Sequence, residues 1–101
     1  LLLEHVVAYN YRTVPERCDR IGEIFGARLI DLQPMERCQA VVAALAAFKN
    51  RLGLQAGLGS RGVHSSDIPS LARKALADPC MATNPRRPRL ADIENLYAEA
   101  L

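Results

Sequence analysis

The sequence contains no tryptophan and few aromatic residues of any kind, three Tyr and two Phe among 101 residues. Strands favour aromatic and β-branched residues, whereas Ala and Leu, which together fill 29 positions, are strong helix formers. The composition therefore predicts an all-α fold. A chain of this length has room for one compact core, so we expect residues 1–101 to form a single helical domain.

Long apolar runs are also absent. The longest covers residues 40–48, whereas a helix that spans a bilayer needs about 20 apolar residues. We therefore expect no membrane partner. Acidic Glu4 follows the opening leucines, where a secretory signal would carry a basic leader and a cleavage site. Because the chain opens with Leu1 inside an apolar helical pattern, we expect it to be a piece of a longer protein.

Neither sign of charge predominates. Thirteen Lys and Arg against eleven Asp and Glu leave a net charge of +2 at pH 7, which indicates no polyanionic partner. The basic group Arg86, Arg87 and Arg89 leaves open a small helical nucleic-acid binder, but no aromatic residue interleaves it. We expect no nucleic-acid partner.

The three cysteines, Cys18, Cys38 and Cys80, are widely spaced and form no Cys-x-x-Cys pair. This pattern predicts reduced thiols and a cytoplasmic location. His5 and His64 are too far apart in sequence to give a recognisable metal-ligand spacing. We therefore assign no metal ligand, no cofactor-binding residue and no catalytic residue. A nucleophilic Cys80 is a weaker hypothesis than a packing or pocket-lining one.

The spacing of apolar residues predicts five helices. The first covers residues 2–9 and ends at Asn10, and the second follows Thr13 as the N-cap of a capping box. The third runs from Pro34 to Gly53. Together with the two helices that follow, these elements predict a five-helix bundle.

The second half of the chain contains the last two helices. The fourth begins after N-cap candidates at residues 65–67 and ends near residue 78, and the fifth begins at Leu90. Residues 53–62 hold four of the six glycines and predict a loop or tight turns. Three prolines in residues 79–89 argue against regular helix there.

Three motifs follow one another near the end of the chain. Residues 67–80 read DIPSLARKALADPC, residues 83–86 read TNPR, and residues 92–97 read DIENLY. This order resembles the C-terminal end of the iron-containing alcohol dehydrogenases, and the LLLEHV start resembles an upstream helix of the same family. The resemblance covers essentially the whole chain. It implies the C-terminal helical domain of the dehydroquinate synthase-like and iron-containing alcohol dehydrogenase fold.

The resemblance also implies a larger two-domain enzyme, of which an N-terminal α/β domain is missing here. Family members bind NAD(P) and Fe(II) or Zn, the metal being held by one Asp and three His. Those ligands are not matched in this chain, since His5 corresponds to a non-ligand position. The resemblance implies that no cofactor binds this chain alone. In the complete protein it implies hydride transfer between NAD(P) and an alcohol or aldehyde, or a maleylacetate-type substrate. It also allows a homodimer as a partner state.

The same resemblance singles out the loop after the fourth helix. Cys80 matches a position near the nicotinamide and substrate end of the family's cleft, so Cys80 is expected to line the substrate pocket, with Met81 and Thr83 as weaker candidates. Arg89 stands where the family usually has an N-capping Thr or Ser, and Glu4 stands where it usually has Pro. The alternative interpretation is a free-standing helical scaffold or oligomerisation module derived from this domain.

Overall fold

The computed structural model describes residues 1–54 and 56–101, and its described residues contain α-helices, 3-10 helices and turns but no strand. The five α-helices are α1 (Leu3–Tyr11), α2 (Pro15–Ile24), α3 (Pro34–Arg51), α4 (Ile68–Leu76) and α5 (Leu90–Glu99). The prediction of an all-α fold with five helices is confirmed. Among the described residues, no helix has the length and apolar character that crossing a bilayer requires.

The helices fall into two compact units. The first unit is Leu3–Gln55 and holds α1, α2 and α3; the second consists of Leu1–Leu2 and Ala56–Leu101 and holds α4 and α5. In the first unit α3 packs against both α1 and α2, and in the second α4 packs against α5. The interpretation of residues 1–101 as one domain stays a prediction.

The start of α2 differs from the predicted one. Thr13 is not the N-cap; Val14 occupies that position without a side-chain cap bond. The reason lies in α1, which continues past Asn10 to Tyr11. The Asn10 carbonyl accepts hydrogen bonds from the backbone N–H groups of Thr13 and Val14, at 3.0 and 3.2 Å. These bonds close the turn between the helices, and α2 then begins at Pro15, whose missing N–H is not needed in a first turn.

Two segments predicted to be irregular contain 3-10 helices, Leu58–Arg61 and Pro79–Thr83, and a third, Ser65–Asp67, leads into α4. Such short helices need only one or two bonds between residues three apart, which glycines and a leading proline permit. Gly62, with φ +83°, ends the first of them in the left-handed conformation. Within the predicted loop at residues 53–62, Gln55 lies outside the described residues.

The core of the first unit is built around α3. Val41 and Leu45 are fully buried, one helical turn apart, and pack with Tyr11, Cys18 and Leu29. Residues four apart lie on the same face of a helix, so Val41 and Leu45 mark the inner face of α3. Its ends differ, because Met35 is 66% exposed and Leu52 is 57% exposed. Met35 in the first turn and Leu52 just after the last turn thus lie outside the core, although Lys49 in the last turn is buried.

The backbone of α2 comes close to α3 at Gly22, a buried glycine in the last turn of α2. A Cβ added at this position would lie 2.5 Å from Val41 Cγ2 and 3.2 Å from Val41 Cα. Real carbon atoms do not approach so closely, so any larger residue would push the two helices apart. Ile21, the residue before Gly22, is 39% exposed.

A buried ion pair joins α1 to α3. Lys49 is only 7% exposed, and its Nζ lies 2.6 Å from Glu4 Oε1 and 2.7 Å from Glu4 Oε2. Burial is the largest single effect and raises the pKa of the Glu4 carboxyl. The hydrogen bonds from Lys49, a backbone hydrogen bond and the charges of Lys49 and His5 together outweigh it and hold that pKa below its ordinary value of 4.5. The pair therefore stabilises the folded chain when Glu4 is ionised.

A second polar group links the three helices of this unit. The Tyr11 hydroxyl donates a 2.6 Å hydrogen bond to Asp19 Oδ1, and Arg37 Nη2 lies 2.9 Å from Asp19 Oδ2. Burial, followed by the bond to Asp19, raises the pKa of Tyr11 to about 12. Tyr11 therefore stays protonated at neutral pH and acts as a donor in the core.

In the second unit, α4 and α5 bury a small apolar core. Its buried residues include Leu58, Ile68, Ala72, Ile93 and Ala100. Backbone bonds add to this packing, since the N–H of Leu58 donates to the Ala100 carbonyl at 2.8 Å and that of Gly59 to the Leu101 carbonyl at 3.2 Å. Gly57 permits this pairing, because a Cβ there would lie 2.4 Å from the Leu101 carbonyl oxygen.

The helix contact at Gly22 gives a stability prediction. Alanine normally stabilises a helix by about 1 kcal/mol relative to glycine, yet Gly22→Ala should lower the free energy of unfolding by about 1–3 kcal/mol because it overpacks the contact with Val41. Urea unfolding followed by circular dichroism measures this change. Val41→Ala should then cost less in the Gly22→Ala background than alone, and strictly additive effects would contradict the proposed contact.

The ion pair between Glu4 and Lys49 gives a prediction that depends on pH. Glu4→Gln leaves a buried ammonium without its counter-charge and should lower the free energy of unfolding at pH 7 by about 3–5 kcal/mol. Because the pKa of Glu4 is lowered on folding, its contribution is present above pH 4.5 and is lost as the pH falls through the lowered value. The difference between the original chain and Glu4→Gln should shrink over that range.

The control for this pair is the double variant Glu4→Leu with Lys49→Met, which removes both charges while keeping apolar volume. It should recover most of the stability lost in Glu4→Gln, because no unpaired charge remains buried. A pH-independent difference between the original chain and Glu4→Gln would argue against the ion pair.

Candidate functional site

The candidate site is the segment between α4 and α5, because it combines the predicted pocket residues with a surface cleft. It opens with the 3-10 helix Pro79–Thr83, whose N-cap is Asp78. Asp78 Oδ1 accepts a 2.8 Å hydrogen bond from the Cys80 backbone N–H. At the other end the Thr83 hydroxyl donates to the Cys80 carbonyl at 3.0 Å. Both ends of this short helix are thus held by side chains.

The turn after the 3-10 helix is held by its own side chains. The Asn84 amide Nδ2 donates to the Arg86 carbonyl, and the Asn84 backbone N–H donates to the Met81 carbonyl at 3.3 Å. Pro88 is buried at the end of the segment. Asn84 thus closes the turn through its own side chain, as Asn does in many turns.

A cleft of about 530 Å³ lies within this part of the second unit, a volume typical of sites for small molecules. Its lining residues are Leu76, Asp78, Pro79, Met81, Ala82, Asn84, Arg87 and Pro88. Of the three predicted pocket residues, Met81 lines this cleft and is half-buried, whereas Cys80 and Thr83 are exposed outside it. The prediction that all three line the substrate pocket of a complete enzyme stays a prediction.

The thiols of the chain are not activated as nucleophiles. Asp78 raises the pKa of the exposed Cys80 thiol, first through a hydrogen bond and then through its negative charge. Burial raises the pKa of Cys18 and of Cys38. A raised pKa lowers the thiolate fraction at neutral pH, so these environments suit packing or pocket shape better than covalent chemistry.

The described residues offer no place for a metal ion, since they contain no group of three or more His, Cys, Asp or Glu that could hold one. His5 belongs to the first unit, where its Nε2 lies 3.9 Å from Glu4 Oε1. His64 belongs to the second unit, where its backbone N–H donates to Asp67 Oδ2 at 2.9 Å. The donor set of residues 1–54 and 56–101 therefore does not fit a resident metal.

The start of α5 compensates for the lost N-cap at Arg89. Asp92 Oδ2 accepts a 2.8 Å hydrogen bond from the Arg89 backbone N–H, and the Arg89 Nε lies 3.4 Å from the same oxygen. The carboxylate also sits near the positive end of the helix, where a negative charge is stabilising. The Arg89 side chain is 85% exposed.

Two charged residues of the cleft were not predicted from the sequence, Asp78 and Arg87. The pattern Asp78-Pro79-Cys80 is a signal for Asp78, because an Asp before a proline is a common cap. Arg87 has no comparable signal, since it was one of three arginines in a polar stretch. In the folded segment Arg87 lines the cleft, whereas Arg86 and Arg89 do not.

The comparisons with known proteins agree over the whole chain. Residues 1–101 match the model of the Fe-containing alcohol dehydrogenase family, C-terminal. The chain is 36% identical over 100 residues to lactaldehyde reductase of Escherichia coli K12, and 29% identical over 100 residues to 1,3-propanediol dehydrogenase of Klebsiella pneumoniae. Each alignment covers 99% of this chain and 26% of the relative.

The fold agrees as well. A crystal structure of 1,3-propanediol oxidoreductase superposes with a TM-score of 0.92 at 29% sequence identity, covering 100% of this chain and 26% of that protein. The chain thus spans about a quarter of the length of the relatives that it matches.

The environment of Cys80 gives a reactivity prediction. In the folded chain Cys80 should be alkylated by iodoacetamide before Cys18 and Cys38, because it is exposed. Asp78→Asn keeps a capping side chain but removes the charge that raises the pKa of Cys80, and should speed alkylation several-fold at pH 7.5. Mass spectrometry of the labelled peptides measures the rates. Asp67→Asn, which changes a similar cap elsewhere, should leave the Cys80 rate unchanged, and an equal acceleration there would contradict this account.

Proposed function

Because the chain belongs to the Fe-containing alcohol dehydrogenase family, we propose that it forms the C-terminal helical domain of an NAD(P)-linked enzyme that interconverts an alcohol and an aldehyde. The observation that supports this proposal is the match over the whole chain, in sequence to lactaldehyde reductase and in fold to 1,3-propanediol oxidoreductase. The same match does not favour a free-standing scaffold.

The reaction that we propose moves a hydride between the carbinol carbon and the nicotinamide, with a proton released from or taken up by the oxygen. The donor set of the described residues does not fit a metal ion. We therefore propose that Fe(II) or Zn and NAD(P) are bound by the part of the protein outside these 101 residues, which the resemblance identifies as an N-terminal α/β domain. Free cysteines support a cytoplasmic location, and a homodimer remains part of the proposal.

In this proposal the segment between α4 and α5 supplies one wall of the substrate pocket. Its 3-10 helix is fixed by Asp78 and by Thr83, so the wall is formed before substrate binds. Met81 presents an adaptable apolar side chain to the cleft. Cys80 and Thr83 are exposed outside this cleft, and we propose that in the complete enzyme they line the pocket through their shape and transfer no proton.

A chimera tests the proposed function. The C-terminal quarter of Escherichia coli lactaldehyde reductase is replaced by this chain, and reduction of lactaldehyde is followed by loss of NADH absorbance. We expect the chimera to retain activity, because the two segments share 36% identity, and the 101-residue chain alone, supplied with NADH and Fe(II), to be inactive. A folded but inactive chimera, or an active isolated chain, would contradict the proposal.

The two methionines provide matched variants in that chimera. Met81→Ala enlarges the proposed pocket and should raise KM several-fold with a smaller effect on kcat. Met35→Ala changes a side chain that is 66% exposed on α3 and should leave both constants unchanged. Equal changes of KM in the two variants would contradict the placement of Met81 in the substrate pocket.

A further inference from the structure

The cleft beside the 3-10 helix contains one charged side chain that the fold does not use. Of its three polar residues, Asp78 binds the Cys80 backbone N–H and Asn84 binds the Arg86 carbonyl. Within residues 1–54 and 56–101, Arg87 takes part in no hydrogen bond or ion pair. Its guanidinium therefore remains available to a ligand.

The other walls of the cleft are apolar. They are formed by Leu76, Pro79, Met81, Ala82 and Pro88. A cleft with mostly apolar walls and one or two polar groups is typical of a small-molecule site, in which the polar group fixes the orientation of the ligand. Met81 is an adaptable wall, because its unbranched side chain takes several conformations.

The charge of Arg87 specifies the polar end of such a ligand. A guanidinium binds a carboxylate through two parallel hydrogen bonds, a geometry that neutral amides and alcohols do not match. Asp78 also carries charge, but its carboxylate accepts the backbone N–H of Cys80 and interacts with the Cys80 thiol. Asp78 is therefore engaged by the protein, whereas Arg87 has no partner among the described residues.

We propose that this cleft binds a small monocarboxylate with a short apolar chain, its carboxylate on the Arg87 guanidinium and its chain against Met81. The binding residues all belong to the second unit. Binding requires neither NAD(P) nor a metal, so the proposal stands or fails separately from the proposed dehydrogenase function.

The test is a titration of the 101-residue chain with butanoate, followed by 1H–15N NMR at constant ionic strength. We expect saturable shifts confined to residues 76–88, and no saturable shifts with butanamide, which has the same apolar chain without the charge. Arg87→Gln should weaken butanoate binding by at least about tenfold, as loss of a charged hydrogen-bond partner does. The butanoate affinity of Arg87→Lys should fall between that of the original chain and that of Arg87→Gln, since an ammonium keeps the charge but lacks the two parallel donors of a guanidinium.

The matched control is Arg89→Gln, which removes the same charge from a neighbouring exposed arginine outside the cleft. It should leave butanoate binding unchanged, and an equal loss would show a diffuse charge effect and overturn the proposal. Equal binding of butanamide would show that the carboxylate is not recognised, which would also overturn the proposal. Equal binding of inorganic phosphate would show that the apolar wall contributes nothing, which also overturns it. Shifts outside residues 76–88 would place the ligand elsewhere.

Discussion

The first helical unit depends on how one buried charge is accommodated. Moving an ammonium out of water costs several kcal/mol unless a partner restores the lost solvation, and Lys49 is almost completely buried. Glu4 supplies both carboxylate oxygens from α1, so α1 is fixed in position and rotation along α3. The rest of the unit follows from this placement, since the Tyr11 side chain at the other end of α1 then reaches Asp19 on α2.

The second unit shows how a rigid loop is made from residues that disfavour regular helix. Proline removes backbone donors and fixes φ, and the segment between α4 and α5 places its prolines where no donor is needed. Asp78 caps the 3-10 helix, and Asn84 closes the turn after it. Met81 and Arg87 also line the cleft, and neither side chain makes a hydrogen bond within the described residues. In this segment Asp78 and Asn84 hold the backbone, and the proposed ligand contacts are made by Met81 and Arg87.

The sequence predicts features that rest on repeated apolar side chains and misses those that rest on single contacts. Helical spacing identifies Val41 and Leu45 as the centre of α3 because many neighbours repeat the same signal. It misses Gly22, since a glycine has no side chain to count, and Lys49, since charge normally marks a surface. The N-cap at Thr13 fails for a related reason. The Asn10 carbonyl accepts the N–H groups of Thr13 and Val14 and so sets the turn before α2. This arrangement depends on where α1 ends, which local sequence does not give.

For the site, the resemblance to a family supplies more than local chemistry does. Motif order brings Cys80, Met81 and Thr83 to attention, but periodicity alone does not say which side chains turn into a cleft. Capping bonds decide that, because they set the rotation of the 3-10 helix and leave Met81 inward and Cys80 outward. The approach of α2 to α3 has an evolutionary corollary. Since a Cβ at Gly22 would collide with Val41, positions 22 and 41 should vary together among related sequences, with bulk at one accompanied by a smaller residue at the other.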